Sequence, residues 1–186
     1  MKPLLMAVIL VIIAAIVVSI IYRGDENRDQ PLFVSGPSES RSWTWENPYT
    51  FKRVLVPSTW KQVTNPNLTD TVLTLQHESS KSLVYILYEE PVEYMTLSEY
   101  MDVIKPMNKT EFGIEEFDTA KDKNGLQYYY AESARYLGNN LVGIKVRIWN
   151  DGLNSFWETV QMTDIEYKSI EYDANELVEK LIETTH

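Results

Sequence analysis

Apolar and polar positions divide the chain into three segments of different character. In the first, residues 4–21 are apolar and uncharged, and Ser19 alone carries a hydroxyl. At about 1.5 Å per residue, a helix of this length approaches the roughly 30 Å hydrocarbon thickness of a bilayer. A cleaved secretory signal needs small residues at its cleavage site, whereas this run ends in bulky residues before Tyr22 and Arg23. We therefore predict a single-pass transmembrane anchor over residues 1–22.

The other two segments predict a linker and a folded domain. Residues 23–40 are charged at first and then rich in Ser, Gly and Pro, which is typical of a flexible linker. From residue 41 to residue 186, short apolar segments alternate with turn residues, which predicts strands joined by hairpins. The predicted strands are 51–56, 71–77, 83–88, 113–121, 126–136, 141–149 and 154–162. Residues 83–88 are apolar at every position, so we expect both faces of that strand to be covered.

Two segments of the domain combine a capping signal with apolar residues at helical spacing. In the first, Thr96 and Glu99 have the spacing of a capping box, and Pro106 predicts that the helix ends at the preceding residue. In the second, Asp173 and Glu176 offer a similar device at the start. Each apolar stripe predicts a helix that packs on the sheet.

Two tryptophans directly follow the linker. Trp43 and Trp45 alternate with polar residues. This alternation fits the inward face of a first strand, whereas tryptophans near a membrane also act as anchors at head-group level. The sequence leaves both interpretations open.

The order of these elements resembles the PsbP/DcrB-like superfamily. Residues 49–61 read YTFKRVLVPSTWK, which is similar to an opening strand that ends in Pro and, after a short turn, Trp. A strand pair, a helix, further hairpins and a terminal helix follow in the same order over residues 43–184. The resemblance implies an α+β fold in which helices flank a largely antiparallel sheet, as a PsbP-like α/β/α sandwich. It also implies a binding or assembly role rather than a reaction.

Composition limits the partners and the compartment. The chain has 17 Lys and Arg against 27 Asp and Glu, a net charge of −10. Phosphate repels such a domain, so nucleic acid is excluded as a partner and membrane contact is expected through residues 4–21. The charges that flank the span are nearly balanced, but long domains translocate largely regardless of charge. We therefore expect the domain to lie outside the cytoplasmic membrane.

Residue types that support catalysis are scarce. The chain has no cysteine and only His77 and His186, so thiolate chemistry and histidine-rich metal sites lack ligands. Acidic groups at residues 89–93 and 111–118 could pair as acid and base, but without a calcium-loop spacing they favour a solvated acidic face. We predict no catalytic residue, no metal and no cofactor.

One predicted strand face stands out against the acidic background. Along residues 141–149, basic and aromatic side chains alternate with apolar ones, so they share one face. We predict that this face, with residues of the preceding strand, binds a protein partner. The candidate residues are Lys145, Arg147, Trp149, Tyr129 and Arg135. The alternative is cross-strand pairing with carboxylates such as Glu132 and Glu158.

These inferences predict a membrane-anchored, non-enzymatic binding or assembly module. Two other functions stay open at this point. A hydrolase would need a pair of carboxylates in a cleft, and a chaperone-like binder of hydrophobic helices would need a large exposed apolar groove.

Overall fold

The computed structural model describes residues 42–64, 71–80, 82–122, 124–152 and 154–186. The predicted anchor (1–22) and linker (23–40) lie outside these residues. Among the residues that are described, no helix combines the length and the apolar character needed to cross a bilayer.

The described residues form nine strands and two helices. The strands are β1 (Trp43–Glu46), β2 (Arg53–Val56), β3 (Trp60–Gln62), β4 (Thr71–His77), β5 (Leu83–Glu89), β6 (Asp118–Lys121), β7 (Gln127–Leu137), β8 (Asn140–Asn150) and β9 (Phe156–Asp164). The helices are α1 (Leu97–Phe112), between β5 and β6, and α2 (Lys168–Ile182), after β9.

Strands β3 to β9 build one antiparallel sheet. Its strand order is β3-β4-β5-β9-β8-β7-β6, while β1 and β2 form a separate two-stranded ribbon. All strand neighbours are antiparallel, which confirms the predicted sheet type. The predicted strand over 113–121 is shorter as β6. The helix α1 runs to Phe112, and Gly113 ends it in the left-handed conformation with φ of 70°. The chain therefore reaches the sheet only at Asp118.

Both faces of the large sheet are covered. On one face, here called the α2 face, α2 and the β1–β2 ribbon pack over a core that includes Val84, Ile86 and Trp157. On the opposite α1 face, α1 packs over a core that includes Tyr85 and Val146. Neighbouring residues of β5 therefore serve different cores, as its uniformly apolar sequence predicts. The fold is an α/β/α sandwich.

The predicted capping box begins α1, but the predicted end of α1 is wrong. The amide of Thr96 donates to Glu99 at 2.8 Å, and the Glu99 amide donates back to the Thr96 hydroxyl at 3.3 Å. Pro106 lies inside the helix. Proline lacks the N–H that would bond the carbonyl of Asp102, yet Asp102 is exposed, so water can replace that donor. Beyond Pro106, the side chains of Asn108 and Phe112 are buried, and this packing stabilises the helix as far as Phe112.

The predicted start of α2 is also wrong. The helix begins at Lys168, nearly two turns earlier than an N-cap at Asp173 would place it, and its first turn has no side-chain cap. Ile170 lies in that first turn and is buried in the core of the α2 face. Packing of this side chain outweighs the capping preference of Asp173, since most helical stability in proteins comes from tertiary contacts.

The tryptophans that follow the linker belong to the ribbon. Trp45 is buried against the sheet, and Trp43 is half-buried with its indole N–H donating to the carbonyl of Trp60 at 3.0 Å. The strand interpretation is therefore confirmed. Trp60 itself is fully buried and lies edge-on to His77, with ring centroids 5.1 Å apart. Burial lowers the pKa of the His77 imidazole, and the negative charge of Asp173 opposes that shift.

Candidate functional site

The structure divides the predicted binding residues between the two faces of the sheet. Lys145, Arg147 and Trp149 lie on β8 and point to the α2 face. Tyr129 and Arg135 lie on β7 opposite residues of the α1-face core, and the Arg135 guanidinium donates to a carbonyl at the end of α1. Three of the five residues are brought together, and two are separated from them by the sheet.

The two cations on the α2 face are ion-paired. Lys145 lies 3.5 Å from Glu132 on β7 and 3.0 Å from Glu171 on α2. Arg147 lies 3.2 Å from Glu179, also on α2. Only 20% of the Lys145 side chain and 16% of the Arg147 side chain are exposed. The cross-strand pairing that the sequence left open is therefore present, with two further carboxylates supplied by the helix.

Two further side chains with polar atoms, those of Trp149 and Gln161, are buried on the α2 face. Trp149 is fully buried and its indole N–H donates to the Thr185 hydroxyl at 2.9 Å. Gln161, opposite Lys145 on β9, is 1% exposed, and its amide has no hydrogen-bond partner among the described residues. Lys145 and Trp149 thus lie inside the contact between α2 and the sheet.

The α1 face contains two carboxyl groups that the sequence did not single out as buried. Burial raises the pKa of Glu158 to about 8, the charge of Glu111 adds to that shift, and a hydrogen bond from Asn108 opposes it. Burial also raises the pKa of Glu111 to about 7, against the opposing charge of Arg135. The expectation of a solvated acidic face over 111–118 is therefore wrong for Glu111, because α1 lays it against the sheet.

The two carboxyl groups lie on different elements but close enough to influence each other. Glu158 is a buried residue of β9, and Glu111 is a residue of α1 whose charge raises the pKa of Glu158. In the other acidic group, Glu89 accepts a hydrogen bond from the Tyr100 hydroxyl at 3.0 Å. Within the described ranges, no cluster of three or more His, Asp or Glu residues is arranged to hold a metal ion.

An open groove lies between β2 and the C-terminal end of α2. Its volume is about 450 Å³. Three cations and one carboxylate are among its lining residues, although the whole chain carries a net charge of −10. The lining residues are Lys52, Arg53, Val54, Leu55, Lys180, Glu183 and Thr184. This groove is a basic concavity in an acidic protein.

The groove runs along the free edge of β2. Among the described strands β2 pairs with β1 alone, and the groove is lined by β2 and α2 without a residue of β1. The Asn47 amide donates to the Lys52 carbonyl at 2.9 Å, and the register places Val54 opposite Trp45, so the Lys52 carbonyl and the backbone groups of Val54 point toward β1. Because backbone groups alternate along an antiparallel strand, Arg53 and Leu55 direct their N–H and C=O groups toward the groove.

Three large apolar or aromatic residues of the ribbon and its turn are exposed. Phe51 is 72% exposed, Leu55, which lines the groove, 59%, and Tyr49 51%. The Tyr49 ring also packs on Tyr88, with ring centroids 3.8 Å apart. Phe51 has φ of 60°, which is unusual for a bulky residue. Asn47 holds the turn in place, because its buried side chain accepts from the Tyr49 amide at 2.9 Å and donates to the Thr184 carbonyl at 3.3 Å. The fold thus fixes an outward-facing phenylalanine beside the end of α2.

We define the ribbon surface as Tyr49, Phe51 and Leu55 together with the groove residues. Sequence reasoning missed it, because residues 51–56 read as one strand with an ordinary alternation. One signal was available. An Asn-Pro-Tyr-Thr turn, followed by two cations after Phe51, marks a ribbon whose tip carries exposed aromatic residues.

Comparisons with known proteins identify the fold. No protein-family model matches the chain, and no curated protein sequence matches it. The solution structure of cyanobacterial PsbP (CyanoP) from Synechocystis matches with a TM-score of 0.57 at 12% identity, covering 80% of this chain and 95% of that one. The crystal structure of the Ran-binding protein Mog1p from Saccharomyces cerevisiae matches with a TM-score of 0.49 at 8% identity, covering 78% and 95%. The described domain therefore has a PsbP-like fold.

Proposed function

We propose that the chain is a membrane-anchored, non-enzymatic binding or assembly module. Residues 1–22 would hold it in the membrane, residues 23–40 would act as a tether, and the domain over 41–186 would meet a protein partner outside the cytoplasmic membrane. The uncharged run of residues 4–21 supports the anchor. The PsbP-like fold, with both sheet faces covered, supports a compact domain that binds through its surface.

The ribbon surface carries this proposal. Protein interfaces combine exposed aromatic anchors with a polar rim that contributes specificity. Phe51 and Leu55 supply exposed apolar area, and Lys52 and Lys180 supply charge beside them. The lining also argues against the chaperone alternative, since charged residues do not suit a groove for apolar helices. The hydrolase alternative has less support, because Glu90, Glu93, Glu115 and Glu116 are exposed carboxylates rather than a pair enclosed in a cleft.

Cross-linking capture of the full-length protein in its native membranes tests the ribbon surface. We expect wild-type protein to retain a partner and the Phe51→Ser, Leu55→Ser double variant to lose it. A matched control is the Val92→Ser, Tyr94→Ser double variant. Val92 and Tyr94 are 102% and 82% exposed, and neither belongs to the ribbon surface. Equal capture by both double variants and wild type would contradict the proposal.

Partner binding through the predicted residues Lys145, Arg147 and Trp149 of the α2 face, and through Tyr129 and Arg135 of the α1 face, stays a prediction. The same capture assay addresses it through the Lys145→Glu, Arg147→Glu double variant. Both cations contact α2, which also lines the groove, so the substitutions could disturb the ribbon surface. Loss of capture therefore supports binding by Lys145 and Arg147 only if the ribbon surface keeps its geometry. Near-native melting of the variant is therefore the required control.

A further inference from the structure

We propose that the groove along β2 binds an extended acidic segment of the partner by strand addition. This inference rests on the proposed function and specifies the chemistry of the partner. The added segment would become a third strand of the β1–β2 ribbon, paired to the free edge of β2, with its carboxylates among the cations of the groove.

The backbone of β2 supports pairing. Arg53 and Leu55 direct their N–H and C=O groups toward the groove, as the Asn47–Lys52 hydrogen bond requires. Such a row of unpaired groups is a template for an additional strand. Pro57 directly follows β2 and removes a donor, so it limits the pairing to a few residues.

The charge of the groove selects an acidic segment. Lys52, Arg53 and Lys180 outnumber Glu183 along the lining, whereas the chain as a whole is acidic. The Lys52 ammonium also donates to the carbonyl of His186, and its side chain is exposed there, so a partner carboxylate can replace this neutral acceptor. Arg53 pairs with Glu46 at 2.6 Å, but the two side chains are 71% and 42% exposed. A partner carboxylate can compete for a cation in so open a pair, because solvent screens the existing interaction.

The neighbouring side chains make the site specific for an extended segment. Leu55 stands on the outer face of the ribbon, beside the backbone groups that an added strand would use. Residues of an added strand alternate between the outer face and the floor of the groove near α2. A segment in which acidic and apolar residues alternate would therefore place carboxylates on one side and an apolar side chain against Leu55.

The test measures binding of a fluorescent peptide that alternates Glu and Val to the full chain in detergent micelles. We expect saturable binding that weakens at least ten-fold as salt rises to about 0.5 M, where the Debye length is about 4 Å. The same peptide with alternate backbone amides methylated, which cannot complete the strand, is expected not to bind. Equal binding of the methylated peptide would overturn strand addition without any change to the protein.

Two matched pairs of variants test the site itself. Leu55→Pro removes one groove-facing N–H and is expected to abolish binding, whereas Leu55→Ala keeps that N–H and is expected to retain most of it. Lys52→Gln with Lys180→Gln is expected to weaken binding at least ten-fold, and the control Lys121→Gln with Lys168→Gln, both exposed elsewhere, is expected to leave it unchanged. Equal binding within either pair would overturn the site.

Combining these variants with partner capture separates this inference from the proposed function. Loss of capture by the Phe51→Ser, Leu55→Ser variant, with full capture by Leu55→Pro, would support the ribbon surface and overturn strand addition. Full capture by all of them would overturn both. A dimer of the chain that disappears in Leu55→Pro would identify a second copy as the occupant and overturn the acidic partner.

Discussion

Glu158 shows how a single residue can couple the fold to pH. Its folded-state pKa of about 8 lies above its ordinary value of 4.5, so the folded protein binds this proton more tightly than the unfolded chain. The contribution of Glu158 to the free energy of unfolding is therefore fully present below about pH 4.5, and it is lost as the pH rises toward 8. Glu111, with a pKa of about 7, acts in the same direction over a narrower range.

We therefore predict that the protein loses stability between about pH 5 and pH 8. The shift of the Glu158 pKa from 4.5 to about 8 corresponds to about 5 kcal/mol in full, since each pKa unit is about 1.4 kcal/mol, and most of it is lost by pH 8. Denaturant unfolding of the full chain across this range is the measurement. Glu158→Gln should flatten the profile, and the exposed control Glu116→Gln should leave it unchanged. A wild-type profile that rises across this range would show that Glu158 is ionised in the folded protein.

Sequence patterns predicted some of these residues and missed others for a definable reason. The resemblance places Trp60 just after the turn that ends the opening strand, and the structure buries it completely. Glu158 was taken as a partner for surface cations, because a glutamate in a strand is usually solvated. Its burial depends on where α1 lies, and α1 is placed by contacts between distant parts of the chain.

At the scale of elements, α2 is held to the sheet by charge as well as by its apolar stripe. Arg147 on β8 and Glu179 on α2 join across this contact at 3.2 Å. Lys145 does the same about two turns of helix away, through Glu171. Since α2 also lines the groove through Lys180 and its final residues, its placement shapes the ribbon surface.

We predict that Arg147→Glu loosens α2 selectively. The variant places a carboxylate at a position where only 16% of the Arg147 side chain is exposed, beside the half-exposed Glu179, which we expect to cost about 1 to 3 kcal/mol. Hydrogen exchange should quicken in the amides of α2 and stay unchanged in those of α1. Adding Glu179→Arg should restore protection by reversing the pair. If the double variant exchanges as fast as the single one, the ion pair does not hold the helix.

Elements were predicted well where periodicity alone defines them. The strand over 71–77 coincides with β4, and the capping box of α1 forms as expected. Pro106 and Asp173 gave wrong helix limits because a local preference of about 1 kcal/mol for capping, or about 3 for proline, is smaller than the burial of several apolar side chains. The ribbon surface escaped prediction because exposure of Phe51 depends on the contact of Asn47 with α2.

At the scale of the whole molecule, both faces of the large sheet are covered, which leaves strand edges as the backbone surface on which a partner could bind. Helices and the ribbon occupy both faces of the seven-stranded sheet, so α1-face and α2-face residues are mostly committed to the core. The free edge of β2 instead belongs to the element that directly follows the predicted tether. If the predicted anchor holds the chain in a membrane, a partner bound there would lie beside the predicted tether, which would suit assembly at a bilayer surface.

That arrangement requires the N-terminal segment to stay in the mature protein. We predict that residues 1–22 are retained, because the uncharged run of residues 4–21 matches the bilayer and ends without the small residues of a cleavage site. Intact mass of the protein purified from membranes should include this segment, and alkaline carbonate should fail to release it. A variant that begins at residue 23 serves as the control and should be released. A mature species that begins near Tyr22, or extraction of the full chain by carbonate alone, would show that the domain is not anchored in this way.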